Sequence, residues 1–386
     1  MDPESPIDLT VDPREVLPKH VVDEWLPNEH KSIFFLFQGF NQYPPHPSHY
    51  ILPTNFQEVL HQAPVEGFDY KSLITVSPPA NQSISKAYQH AIKESKSPIL
   101  SVTLQPQYSN PIILPTWIFD YWVEIEHVVD IRRQWKTALT WVQRLSTSPP
   151  AIDTCKNLLL GLSSLSWSHG AAYSKDITSL LSSSSAESFL RSLHIDHMVQ
   201  QIKDQYQTQL GPNQISHHVF MTVDQISAII HSYGPKRAKK EGYVWETLRM
   251  IENKIVLGNV NSLCGIIHHP LHWVSVVIDF QQMRVLFGDS LGDKMPRNEH
   301  LAFEQWIKYL VKRSTNLSAG DTTFGQLPTG QQMDGNSCGL FALNSIAHHY
   351  VNEPLLPTDP ITLNCRRVEI ALNILSTMTV SVFQIR

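Results

Sequence analysis

The sequence predicts an α+β protein in two parts, with a mixed sheet flanked by helices in the C-terminal part. Some segments place apolar residues at three- and four-residue steps, which is typical of helices, and others are runs of β-branched residues, which are typical of strands. The chain has 386 residues, enough for two domains with separate cores. We expect an accessory region of unknown fold over residues 1–180 and a second domain over residues 181–386.

The accessory region is predicted to contain strands and loops followed by a long helix. Residues 1–30 are rich in Pro and acidic residues and should be loosely ordered. Short apolar runs at 33–37 and 98–104, separated by many Pro and Asn residues, favour strands within 33–115. Residues 116–146 have helical spacing, and Pro149-Pro150 should end that helix. Its apolar positions are Ile118, Trp122, Ile125, Val129, Trp135, Ala138, Trp141, Val142 and Leu145.

A serine-rich stretch at 179–185 marks the junction between the two parts. Ser184 and Glu187 have the spacing of a capping box, which predicts a helix that begins there and continues through Phe189 toward Ile202.

Residues 272–278 and 283–287 predict a β-hairpin, because β-branched and other apolar residues dominate both runs. With Phe280-Gln281 as the loop, His272 would lie directly opposite Asp289, at a Cβ separation of about 4.5–5.5 Å. A bulge or a longer loop would change this register. The face shared with that pair should be buried: Val274, Val276, Ile278, Met283, Val285 and Phe287. The other face should be partly wet: Ser275, Asp279, Gln282 and Arg284.

Cys338 is predicted to stand at the beginning of a helix over residues 339–351. Asn336 and Ser337 are good N-cap residues directly before it. The positive end of a helix dipole favours thiolate over thiol, and Gly335 and Gly339 leave the backbone room to approach a substrate carbonyl. The helix has an apolar stripe of Leu340, Leu343, Ala347 and Tyr350.

Four side chains supply the groups that acyl transfer to a cysteine requires. Cys338 is the nucleophile, His272 the base, Asp289 the group that orients the base, and Gln332 an amide donor for the oxyanion. Asp279 is an alternative candidate for the role of Asp289, and Gln331 is an alternative candidate for the role of Gln332. The remaining cysteines lack the Gly-rich helix-start setting and are interpreted as inert: Cys155, Cys264 and Cys365.

A metal site is the chemical alternative, because Cys264, His268, His269 and His272 are clustered in the sequence. The spacing matches no common zinc motif, and His268 and His269 are interpreted as loop residues ahead of Pro270. We therefore expect no metal and no cofactor.

The order His272, Asp289, Gln332, Cys338, with Trp273 directly after the His, resembles the ubiquitin-like-protein proteases, the SUMO-deconjugating cysteine peptidases. The resemblance covers the last half of the chain and implies a papain-like, adenain-like fold in which those four residues are catalytic. It further implies that Trp273 lines a narrow tunnel for a Gly-Gly tail and that Gly339 contacts substrate. Phe189 stands where the family has a Trp that clamps the tail; a structural place in the core is the alternative for it.

The implied activity is cleavage after the C-terminal Gly-Gly of SUMO or a related modifier, in a precursor or in an isopeptide conjugate. The implied partners are the modifier and its conjugates. A deubiquitinase would use the same chemistry, an acetyltransferase on a related scaffold would need an acyl-CoA site, and an inactive modifier-binding module would have lost catalytic residues. The sequence does not choose between the modifiers, but nothing basic and Gly-rich near Cys338 favours an acyl-CoA site, and all four catalytic roles are filled.

Composition gives the setting in which this chemistry would occur. The net charge of −5 is no signature of nucleic-acid binding, and four scattered Cys residues do not suggest a disulfide framework. No secretory pattern or long apolar stretch is present, so we expect an intracellular protein. The basic cluster Lys236–Lys240 is either a nuclear localisation signal or a solvated loop.

Overall fold

The computed structural model describes residues 50–51, 60–61, 101–106, 112–116, 118–164, 175–181, 189–211, 217–235, 243–318 and 320–383. The chain divides into two compact units. One comprises Met1–Thr137 and Leu162–Lys175, and the other comprises Ala138–Gly161 and Asp176–Arg386. The domain boundary between residues 180 and 181 stays a prediction.

In the first unit, the described strands form an antiparallel sheet around one central strand. The strands are β1 (Tyr50–Ile51), β2 (Leu60–His61), β3 (Ser101–Pro106) and β4 (Ile112–Pro115). Strand β3 pairs with each of the other three. It confirms a strand in the apolar run at 98–104, whereas residues 1–30 and the run at 33–37 lie outside the described residues.

The long helix predicted over 116–146 is confirmed as α1 (Ile118–Leu145). Among its described side chains, Trp135, Ala138, Val142 and Leu145 are buried, whereas Trp141 is half-buried. The proline pair begins a 3-10 turn, Pro149–Ala151, because proline suits the first position of a helix. Helix α2 (Ile152–Ser164) follows directly.

The second unit is built on a five-stranded mixed sheet, which confirms the predicted fold class. Its strands are β5 (His218–Phe220), β6 (Ser262–His269), β7 (His272–Asp279), β8 (Arg284–Gly288) and β9 (Thr323–Gln326), and they lie in that order. The central strands pair antiparallel, and both edge strands pair parallel. The helices are α3 (Ser192–Leu210), α4 (Val223–Tyr233), α5 (Tyr243–Val256), α6 (Arg297–Arg313), α7 (Cys338–Val351) and α8 (Pro360–Phe383).

Helices cover both faces of this sheet at strand β7. On one face the predicted apolar set of the hairpin joins Phe303 and Trp306 of α6 in the main core, and every member is buried, as expected. On the other face α7 packs against β7, and α3 packs against α7. Ser275 is consequently fully buried, so the expectation of a partly wet face is wrong there. Gln282 and Arg284, near the hairpin loop, are exposed as expected.

The hairpin register is shifted by two residues from the predicted one. Asp279 pairs with Arg284 and Ser275 with Gly288, so four residues form the loop, rather than Phe280 and Gln281 alone. The carboxylate of Asp279 accepts the backbone N–H groups of residues 281 and 282, while Phe280 is buried; both features stabilise the longer loop. A shift of two residues preserves the side-chain face, so the buried set is unaffected.

Two other local predictions are wrong. The described part of the junction helix begins at Ser192, and Phe189 and Leu190 lie before it in non-helical backbone; the segment 182–188 with the proposed capping box lies outside the described residues. His268 and His269 are in strand β6 rather than in a loop, since pairing with β7 continues to His269 opposite His272. Only Pro270 and Leu271 connect these strands.

None of the helices in the described part of the chain combines the length and apolar content needed to cross a membrane.

Candidate active site

Cys338 is the first residue of α7, as the sequence predicts. The preceding residue, Ser337, occupies the N-cap position, but its side chain makes no capping hydrogen bond. The first N–H groups of a helix have no acceptor within the helix. The backbone N–H of Cys338 is one of these groups and can therefore bind an anion. Nearly all of α7 is buried, and the helix packs against strand β7 and helix α3.

His272 begins strand β7 and makes a hydrogen bond to Asp289, which directly follows strand β8. The imidazole Nε2 lies 2.8 Å from Asp289 Oδ1. In the observed register these residues are diagonal rather than directly opposite, yet they share a face and their side chains close the gap. Asp289 Oδ1 also accepts the backbone N–H of Leu291 at 2.8 Å, which holds the carboxylate in place.

The imidazole of His272 is also hydrogen-bonded to the side chain of Cys338. Because Asp289 occupies Nε2, the ring nitrogen available to the thiol is Nδ1. The bonds to Asp289 and to Cys338 raise the pKa of the imidazole to about 9, against the opposing effect of burial. Burial opposes ionisation of Asp289, but the hydrogen bonds from His272 and the Leu291 N–H outweigh it and lower the pKa of that carboxyl.

Gln332 is buried, with 7% of its surface exposed, and its amide is held at both ends. The Ser290 hydroxyl donates to Gln332 Oε1 at 3.0 Å, and Gln332 Nε2 donates to the carbonyl of Asp334 at 2.6 Å. The backbone is fixed as well, because Gln332 N–H donates to the Ser290 carbonyl at 2.8 Å. One N–H of the NH₂ group remains beyond the bond to Asp334, so the group has a second donor to offer.

The residues expected to bind substrate surround a short segment of chain before α3. The indole N–H of Trp273, itself buried, donates to the carbonyl of Leu190 at 2.9 Å. The Leu190 side chain occupies the space in front of Gly339, where an added Cβ would lie 2.9 Å from its Cδ1. Phe189 is half-buried beside it in sequence. The absence of a side chain at Gly339 is therefore explained by close packing against Leu190.

The alternative candidate residues named from the sequence have other positions and surroundings in the structure. Asp279 is at the far end of β7 from His272, where it stabilises the hairpin loop. Gln331 is exposed, whereas Gln332 is buried. Burial raises the pKa of the thiols of Cys155, Cys264 and Cys365, which is the behaviour of inert cysteines. Within the described ranges, no three His, Cys, Asp or Glu side chains are grouped so that they could hold a metal ion.

Sequence reasoning missed the residues that support this arrangement. Ser290 adjoins Asp289 and Asp334 lies between Gln332 and Cys338, so proximity was an available signal for both. Arg367, on α8, contacts the loop before Cys338. It is 29 residues beyond the cysteine in the sequence, and no spacing rule connects the two.

Cys338, His272 and Asp289 thus interact in that order on an α+β scaffold, and the Gln332 amide is fixed six residues before the cysteine in the sequence. Residues 188–366 match the family model of the Ulp1 protease family, C-terminal catalytic domain. This segment is therefore a Ulp1-family domain.

Solved structures with similarity to the chain include several proteases of this family. The SUMO protease Ulp1 with its catalytic cysteine oxidised to a sulfenic acid is 18% identical, with 53% of this chain and 83% of that chain covered and a TM-score of 0.38. The Ulp1 protease domain in complex with Smt3, the yeast ortholog of SUMO, is 14% identical, with coverages of 78% and 97% and a TM-score of 0.38. The Ulp1-like SUMO protease catalytic domain of Chaetomium thermophilum is 19% identical, with coverages of 49% and 72% and a TM-score of 0.38. No curated protein sequence matches the chain.

Proposed function

We propose that this protein is a cysteine peptidase or isopeptidase that cleaves after the C-terminal Gly-Gly of SUMO or a related modifier, in a precursor or in a conjugate. The observation that supports this most directly is the imidazole of His272, which is hydrogen-bonded to Asp289 and whose pKa is raised by both Asp289 and Cys338. The family of residues 188–366 supports the modifier as substrate class, and a Ulp1 domain has been solved in complex with Smt3.

In the proposed reaction, His272 takes the thiol proton of Cys338 on Nδ1, and the thiolate attacks the carbonyl carbon of the terminal glycine. Asp289 accepts the hydrogen bond from Nε2–H, which fixes the tautomer and stabilises the imidazolium. The electron pair of the carbonyl moves to oxygen, and the Cys338 N–H with the second N–H of Gln332 binds the oxyanion.

Collapse of this intermediate breaks the bond to the leaving amine, which takes the proton from His272 Nδ1. A thioester between Cys338 and the modifier remains. His272 then accepts a proton from water as that water attacks the thioester, and the thiolate leaves. The net reaction consumes one water and releases the modifier carboxylate and the free amine, so it needs no cofactor.

Trp273 and Leu190 pack beside the residue that follows Cys338. Trp273 and Leu190 are tied together by a hydrogen bond, and Leu190 packs against Gly339. We infer from the family match that Trp273 lines one side of the entry for the Gly-Gly tail and that Phe189, directly before Leu190, extends it.

The surroundings of the site suit a protein substrate. Three of the four proposed catalytic side chains have an exposed large apolar residue one or two positions away in sequence: Leu271 is 79% exposed, Met333 76% and Leu291 55%. Apolar side chains held in solvent around a reactive group are typical of surfaces that bind another protein.

The experiment is covalent labelling with modifiers that carry a C-terminal electrophile: SUMO, ubiquitin and another ubiquitin-like protein. We expect the SUMO probe to label the parent protein at Cys338 and Cys338→Ala to remain unlabelled, while Cys264→Ala labels like the parent. Labelling by ubiquitin alone would replace the proposed substrate but keep the chemistry. Equal cleavage of a SUMO–amide substrate by Cys338→Ala and the parent would contradict the proposal.

A further inference from the structure

Arg367 is a buried cation on helix α8 that contacts the loop directly before Cys338. Only 2% of its surface is exposed. One nitrogen, Nη2, donates to the Asn336 carbonyl at 3.1 Å and lies 3.4 Å from the Ser337 hydroxyl oxygen. It also lies 3.5 Å from Asn336 Oδ1. The guanidinium thus holds the two residues that immediately precede Cys338.

Asp334 holds the same loop through different atoms. Its Oδ1 accepts the backbone N–H of Ser337 at 3.0 Å and of Asn336 at 3.3 Å, and its Oδ2 accepts the Ser337 hydroxyl at 2.5 Å. Its carbonyl accepts from Gln332 Nε2. The loop from Gln332 to Ser337 is therefore held by one acidic and one basic side chain, and both proposed oxyanion donors are connected to it.

The charge of Arg367 also interacts with Cys338. Burial lowers the pKa of the guanidinium, and the negative charges available at Asp334 and Cys338 oppose that effect. An arginine nonetheless remains protonated in proteins, so it is a fixed positive charge. Because its surroundings are poorly solvated, attraction to a nearby anion is weakly screened. A thiolate at Cys338 is stabilised by this charge, and a neutral thiol is not.

We propose that Arg367 is a positioning residue for the nucleophile: it fixes the loop before Cys338 and supplies a permanent positive charge that favours the thiolate. This inference rests on the proposed function of Cys338. It assigns a part in the chemistry to Arg367 on helix α8, which is the first residue beyond the segment matched to the family.

The test compares Arg367→Gln and Arg367→Lys with Arg366→Gln. Arg366 is the matched control, because it is adjacent on the same helix but pairs with Glu353 and Glu369 instead of the Cys338 loop. Measurements are kcat and KM on a SUMO–amide substrate, and the pH dependence of iodoacetamide alkylation of Cys338, followed on its peptide by mass spectrometry. The melting temperature of each variant is also measured.

For Arg367→Gln we expect kcat to fall by about 10–100-fold with KM nearly unchanged, since the contacts act on the nucleophile. The rise of the alkylation rate with pH should move to higher pH, because the thiolate has lost a favourable charge. Arg367→Lys should recover the alkylation profile, yet its kcat should stay below that of the parent, because an ammonium cannot reproduce the planar contacts of guanidinium. Arg366→Gln should resemble the parent in both measurements.

A parent-like alkylation profile in folded Arg367→Gln would overturn the proposal, as would an equal shift in Arg366→Gln. If Arg367→Gln does not fold, the test rests on Arg367→Lys. A kcat equal to that of the parent would overturn the proposal. A reduced kcat with the alkylation profile of the parent would support it. Failure of the proposed function is a distinct outcome, because Cys338→Ala would then retain activity whatever Arg367 does.

Discussion

At the scale of single residues, the His272–Asp289 hydrogen bond governs the charge of the imidazole. Asp289→Asn keeps an acceptor for the Leu291 N–H but removes the negative charge, so we expect activity to fall by about 10³–10⁴-fold and leave a residual rate. The pKa of His272, measured by NMR titration, should fall from its value of about 9, since the bond to Asp289 is the largest cause of its elevation.

The same shift has a consequence for stability. The pKa of His272 in the folded protein lies above the ordinary value, so protonation of this side chain favours the fold. That contribution is fully present below a pH of about 6.5 and is lost as the pH rises through about 9. The control for the activity of Asp289→Asn is Asp279→Asn, because Asp279 lies at the far end of strand β7. An inactive Asp279→Asn with an unaffected Asp289→Asn would contradict the assignment.

Gln332 offers a second test at this scale, because Ser290 determines which way its amide points. Gln332→Ala should lower kcat by about 10²–10³-fold with little change in substrate affinity, the usual cost of one lost oxyanion donor. Gln332→Glu should be at least as damaging, because a carboxylate repels the developing negative charge. Ser290→Ala should have a smaller effect of the same kind.

Gln331→Ala is the control in these single-turnover measurements, since that side chain is exposed. A loss of rate in Gln331→Ala with none in Gln332→Ala would move the donor by one residue.

At the scale of elements, the end of strand β8 is packed too closely for any side chain at Gly288. A Cβ there would lie 2.4 Å from both Ser275 Oγ and Thr329 Oγ1 and 2.9 Å from Ser345 Oγ. We expect Gly288→Ala to lower the free energy of unfolding by about 1–3 kcal/mol and to reduce activity, because displacement of β8 moves Asp289. Chemical denaturation followed by tryptophan fluorescence measures the first effect.

Gly335→Ala is the matched comparison, because nothing lies within 4 Å of a Cβ at that position. Its stability should equal that of the parent. Equal stability of the Gly288→Ala and Gly335→Ala variants would mean that the buried hydroxyls beside β8 can move apart at little cost.

At the scale of the whole molecule, residues before 181 contribute to the unit that contains the proposed active site. Cys155 and Leu158 of helix α2 are fully buried. The thiols of Cys155 and Cys365 interact, and a Cβ at Gly161 would lie 3.8 Å from Leu375 Cδ1, so α2 packs against α8. Helix α8 also carries Arg367.

We therefore expect a fragment of residues 138–386 to be more stable than one of residues 181–386, because the shorter fragment exposes the face of α8 that α2 covers. Thermal unfolding of the two fragments is the measurement, and both should cleave the same modifier. A shorter fragment with the same melting temperature would support the boundary predicted from the sequence.

The sequence alone predicted those features of the molecule that depend on residues close together in the chain. Period-two alternation placed six hairpin residues in the core, and the polar residues before Cys338 predicted where α7 begins. The parity of that alternation was enough to put His272 and Asp289 on one face, even though the predicted register was wrong. Family resemblance supplied the substrate class, which composition and spacing alone do not determine.

Tertiary structure decided what depends on contacts between distant segments. The hairpin register followed from burial of Phe280 and from the turn that Asp279 stabilises, and Ser275 became buried because helices cover both faces of the sheet. Other parts of the chain supply three supporting side chains: Ser290, which orients Gln332; Leu190, which packs on Gly339; and Arg367, which contacts the loop before Cys338. No periodic signal reports such pairings, since the free energy that selects them arises only when the whole chain has packed.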